Sequence, residues 1–110
     1  MVTFDQFLEI EMHVGTIIAI DDFPKAKKPA FQLTIDFGET IGIKRSAAQI
    51  TVLYSKETLL NRQIIAVTNF PKRQIANFFS EVLILGSIDT DGVVTLLQPE
   101  RGVQNGLRIG

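Results

Sequence analysis

The chain contains no cysteine and one histidine, His13. The first absence removes disulfides, thiolate metal sites and thiol nucleophiles together, and it fits a reducing compartment. The second leaves little for acid–base chemistry or for zinc. His13 stands beside Gly15 in a β-branched stretch, with no acid or nucleophile near it, and reads as a structural histidine. No glycine-rich phosphate cradle occurs. No apolar run approaches the roughly 20 residues that cross a bilayer, so no membrane insertion is expected. The opening MVTFDQFLEIE is acidic and lacks a basic n-region, so a secretory signal is not expected either, and the chain is expected in the cytoplasm. Charge of one sign is also lacking. Lys and Arg number 11, Asp and Glu 12, and the formal net charge is −1. That argues against a protein whose main work is coating nucleic acid, but allows a local basic patch. No catalytic residue, metal or cofactor is expected. Asp21-Asp22 and Asp89 with Asp91 read as solvated turn residues, and a non-enzymatic binding module is the default.

Apolar residues are what the chain has in plenty. They make up 45% of its 110 residues, and the mean hydropathy is positive. The length suits a single domain spanning 1–110. A chain of this size has an adequate but not generous core. The apolar excess therefore predicts burial against a second copy of the chain.

FQLTIDF is the clearest strand: Phe31, Leu33, Ile35 and Phe37 share one face. MHVGTIIAID precedes it, and Gly15 there predicts a bulge or sharp bend. Gly38 ends the second strand and TIGIK begins a third. In YSKETLLNRQ, Ser55 is a candidate N-cap for a short helix over about 55–60, closed at Asn61. QIIAVTNF and EVLILGS read as strands four and five. Asp91-Gly92 marks a hairpin into VVTLLQ. Short strands with one helix between the third and fourth predict an all-β Greek-key barrel, the OB-fold, with flanking terminal segments. An open sandwich is the alternative.

Two clusters combine cations with other binding groups. IKRSAAQIT carries Lys44, Arg45, Ser46 and Gln49. NFPKRQIANFFSEVLIL carries Asn69, Phe70, Lys72, Arg73, Phe78, Phe79, Ser80 and Leu83. Cations neutralise phosphates, aromatic faces stack unpaired bases, and amides read base edges. The same groups suit an extended peptide. Phe78 and Phe79 are adjacent, so an extended backbone points only one inward.

These segments resemble the tRNA-binding domain found at the C-terminus of many bacterial methionyl-tRNA synthetases and in free-standing dimeric proteins. The similarity is strongest to the small free-standing members that serve as secretion-associated chaperones. It runs through FLEIEMHVGTI, FPKAKKPAFQLTIDFG, IGIKRSAAQIT, QIIAVTNFPKRQIANFFSEVLILG, VVTLLQP and NGLRIG. The resemblance implies an OB-fold and a homodimer joined outside the barrel. It implies an ATP-independent chaperone for unfolded preproteins bound for export; the alternative it implies is a tRNA-binding protein. A third reading is a purely structural dimerising domain. The surface it implies comprises Lys44, Ser46, Gln49, Asn69, Lys72, Arg73 and Ser80. To these the residue pattern adds Arg45 as a second rim cation and Phe78, Phe79 and Leu83 as an apolar floor. Three departures favour apolar clients over tight tRNA binding. Asn77 stands where relatives have glycine, aliphatic Val82–Leu85 replaces a methionine-bearing run, and His13 replaces an arginine. If the glycine served a positive φ, asparagine is among the least costly substitutes.

Overall fold

The computed structural model describes residues 1–110. Strands and short helices follow in the order α1 (Phe4–Leu8), β1 (Met12–Asp22), β2 (Phe31–Asp36), α2 (Gly38–Ile41), β3 (Ile43–Ala48), α3 (Lys56–Leu59), β4 (Gln63–Val67), β5 (Arg73–Ile75), β6 (Phe78–Ser80), β7 (Leu83–Ile84), β8 (Gly86–Ile88) and β9 (Val94–Leu96). The main antiparallel sheet has the strand order β3-β2-β1-β4-β7. β7 pairs with β4 at Ala66–Ile84 and Val67–Leu83. On its other side the Glu81 N–H donates to the Arg45 carbonyl of β3, 2.8 Å away. The segment 81–84 thus brings the two ends of the sheet together, and the architecture is the expected all-β OB-fold barrel.

The alternation of β2 explains the core. Phe31, Leu33, Ile35 and the following Phe37 are all buried, and Ile17, Ile50, Leu59, Ile64, Ala66, Val82 and Leu96 pack with them. Gly15 has a different role from the one expected. The register of β1 slips between Ile17 and Ala19, not at Gly15. A Cβ on Gly15 would lie 2.6 Å from the Ile35 side chain and 2.7 Å from the Phe37 ring. Glycine is there because the core presses against the β1 backbone.

The α3 helix starts as predicted. The Ser55 side chain accepts from the Thr58 N–H, and the Thr58 hydroxyl takes the Ser55 N–H in return. Asn61 closes the turn with φ 66°. TIGIK is not one strand: Gly38–Ile41 form a helical turn before β3. EVLILGS is not one strand either. β7 pairs with β4, while β8 pairs with β9 in a separate hairpin. Leu85, between them, donates its N–H to Ile65 and accepts from Leu97, so the apolar run changes partners at that residue. At the 89–92 turn, the Asp89 carboxylate accepts from the backbone N–H groups of Asp91 and Val93 at 2.9 Å each.

The terminal segments meet along β1. The Val14 N–H donates to Leu107, Gly106 donates to Val14, and Ile109 donates to Met12. Arg108 reaches back to the Leu8 carbonyl at 2.7 Å.

Candidate binding cavity

Residues 69–81 contain a two-stranded hairpin, β5 with β6, in the register Arg73–Ser80, Gln74–Phe79 and Ile75–Phe78. Ala76 and Asn77 make the two-residue turn. The positive φ falls on Ala76, at 54°, and not on Asn77. That matches a type II′ turn, whose first central residue alone takes φ above zero.

Directly paired residues share a face, so the hairpin has an inner and an outer side. Phe78 and Ser80 point in and Phe79 points out. Phe78 is only 4% exposed. Its ring lies 5.4 Å from that of Phe23 and 4.6 Å below the Arg45 guanidinium. This small cluster sits apart from the main core and fastens the hairpin to β3. Phe79 is 49% exposed, and its ring carries Lys72 at 4.8 Å.

Between this hairpin, the loop after β1 and the end of β3 lies a cavity of about 600 Å³. Its floor is made of Phe23, Ile75 and small alanines, among them Ala47 and Ala48. Lys25, Lys27 and Lys28 line it from the loop, and Arg73 lines it from β5. Gln49 and Gln74 add side-chain amides. The loop runs between Pro24 and Pro29, which restrict its backbone. No group of three or more His, Cys, Asp or Glu side chains is placed to hold a metal ion.

The expected site residues therefore separate. Only Gln49 and Arg73 of that set line the cavity. Ser46 is 1% exposed and donates to the Val82 carbonyl at 3.0 Å, so its hydroxyl ties β3 to the closing segment. Ser80 accepts from the Ala47 N–H at 3.1 Å and joins the hairpin to β3. Phe78 belongs to the buried cluster and not to a groove floor. Arg45 is engaged by Gln32, at 3.3 Å, and by Asp21, at 3.8 Å. Lys44 is half-buried on the strand face that also carries Ser46. Asn69 pins the N-terminal segment: its amide donates to the Glu9 carbonyl at 2.8 Å and its oxygen accepts from the Glu11 N–H at 3.0 Å. Leu83 is 49% exposed on β7, away from the cavity lining. Lys25, Lys27 and Lys28 were missing from the expected set. Their signal, FPKAKKPA, holds three cations between two prolines. His13 is structural, with Nδ1 2.8 Å from the Thr68 hydroxyl.

The family model described as "Putative tRNA binding domain" matches residues 12–108. This chain belongs to the tRNA-binding domain family. Over its whole length it is similar to two crystal structures of CsaA chaperones. The protein from Picrophilus torridus is 52% identical with a TM-score of 0.93, covering 100% of both chains. The one from Bacillus anthracis is 45% identical with a TM-score of 0.95, covering 100% of this chain and 99% of the other. It is also 30% identical over 108 residues to the methionine–tRNA ligase of Thermococcus onnurineus, covering 98% of this chain and 14% of the ligase. The chain thus spans about a seventh of the length of the curated ligases it matches. In those enzymes the tRNA-binding domain is one part of a longer chain, and the family is defined by binding and not by a reaction.

Proposed function

We propose that the protein is an ATP-independent chaperone, a homodimer in the cytoplasm, that holds unfolded export-bound preprotein segments in the cavity beside β5. The observation that carries this reading is the edge of β5. It lines the cavity along its length, and β6 is its only strand partner. An extended client can add there through main-chain hydrogen bonds, which depend little on sequence. The alanine-rich floor lets a second backbone come close, and Gln49 and Gln74 offer side-chain amides to it. Three residues of edge make few bonds, so binding is weak and reversible, as a holding chaperone needs. The full-length similarity to two CsaA chaperones supports the same reading.

The homodimer is supported by the N-terminal segment. Phe4 and Leu8 of α1 are exposed, as are Met1, Val2 and Ile10 before and after it, and the helix buries no residue of its own. A five-residue helix cannot hold itself in water, so a second copy is the natural cover. A second reading, tRNA binding, is favoured by the outward Phe79 ring with Lys72 over it, a group suited to stacking an unpaired base.

Fluorescence anisotropy tests the choice, with a labelled unfolded preprotein segment and labelled tRNA each titrated at two salt concentrations. The register leaves the Gln74 N–H pointing away from β6, so Gln74→Pro removes an edge donor without breaking the hairpin. We expect the variant to lose about tenfold in peptide affinity and to keep its circular dichroism spectrum. Sedimentation of the same samples should give twice 12.2 kDa. An unchanged peptide affinity would remove the edge-addition argument. Tight tRNA binding with a steep salt slope, and no peptide binding, would put the RNA reading first. A single 12.2 kDa species would end the dimer.

A further inference from the structure

The cavity is charged in a way the rest of the chain is not. Lys25, Lys27, Lys28 and Arg73 line it, and no Asp or Glu does. None of the four takes part in any of the chain's ion pairs. The carboxylates nearest to them in sequence are engaged elsewhere. Asp21 faces Arg45, Asp22 holds Lys56 at 3.0 Å, and Glu81 accepts from the Arg45 N–H at 3.0 Å. Four unpaired cations are thus gathered on a molecule whose formal net charge is −1. An anionic occupant of the cavity is attracted by all four together.

We infer that this cavity selects clients by charge: it takes extended apolar segments that carry carboxylates at alternate positions. The inference rests on the peptide reading above. Alternation follows from the geometry of an added strand, in which residues i and i+2 point to the same side. With its backbone on the β5 edge, such a segment turns one row of side chains toward the alanine floor and the other toward the rim. Carboxylates in the rim row meet Lys25, Lys27 and Lys28 of the loop, which act as mobile point charges. Arg73 shares its β5 face with Ile75 and stands at the end of the floor row, where its fork can grip a carboxylate or the client's main-chain carbonyl. Each rim contact is solvent-exposed, so each is modest. The selection comes from several acting together and fades with salt.

Three ten-residue peptides with valine at alternate positions test this, the other positions being Glu, Gln or Lys. Each is titrated by anisotropy against the full chain at low and high salt, beside an oligouridylate probe. We expect the Glu peptide to bind roughly two- to fivefold more tightly than the Gln peptide per engaged carboxylate at low salt, and the gap to close at high salt. Lys27→Gln with Lys28→Gln leaves Lys25 and Arg73 as the cations of the cavity and should narrow the gap, and Lys27→Glu with Lys28→Glu cancels those two charges and should level it. Equal affinities for the Glu and Gln peptides, unmoved by these variants, would overturn charge selection and leave the peptide reading standing. Failure of all three peptides, with oligouridylate binding lost on the same substitutions, would overturn both.

Discussion

Ala76 shows how one residue can carry strain for a whole hairpin. Its φ of 54° is a conformation that costs an L-residue about 1–2 kcal/mol. Glycine avoids that cost but loses more freedom on folding, about 0.5–1 kcal/mol. Ala76→Gly should therefore stabilise the protein by roughly 0.5–1 kcal/mol and raise Tm by about 2–6 °C, measured by thermal unfolding. A fall in Tm would contradict the turn geometry. Asn77 was the position considered for a positive φ, on the condition that the glycine of the relatives served one there. Packing decides otherwise. Burial of Phe78 sets the register Ile75–Phe78, and that register makes Ala76 the first turn residue. The choice between Phe78 and Phe79 was open for the same reason. Alternation says that one faces inward, but only the position of Phe23 and Arg45, far away in sequence, says which.

At the scale of the element, the well-marked pieces follow local rules. The alternation of β2, the Ser55 cap and the Asp91-Gly92 turn were all legible, since each depends on neighbours within a few positions. β7 and β8 were not, since nothing local says that an aliphatic run changes partners at Leu85. The Ser55 cap gives a quantitative expectation. Ser55→Ala removes the capping acceptor for the Thr58 N–H and should cost about 1 kcal/mol, read by chemical denaturation. The Glu57 carboxyl is held below the usual carboxylate range, first by its backbone hydrogen bond and then by Ser55. A lowered folded-state value means that this stabilisation is present above the unfolded-state value and is lost as pH falls through the folded one. The Ser55→Ala deficit should therefore shrink in acid. A deficit that grows there would refute the assignment.

Over the whole molecule, the cavity is assembled from three segments, the loop after β1, the end of β3 and the β5 turn. Two of its cation-bearing stretches stand plainly in the sequence, yet their convergence is a product of topology. FPKAKKPA reads as an exposed loop until the hairpin is folded over against it. The barrel class was legible because it needs only strand count and one helix. The site was not, because it depends on which strands end at the same rim.

The strand-like contact between the two ends of the fold has a kinetic consequence. Arg108 and Leu8 are joined across 100 positions, and residues 106–109 pair beside β1. Closing so long a loop costs entropy before it returns any bond, and such non-local pairing slows folding toward the millisecond-to-second range. If that pairing forms late, weakening it leaves the refolding limb of a chevron nearly unchanged and steepens the loss on the unfolding side. Ile109→Pro, which removes the N–H that donates to the Met12 carbonyl, should thus speed unfolding several-fold with little effect on refolding. Slowed refolding would instead place the meeting of the two ends in the folding nucleus.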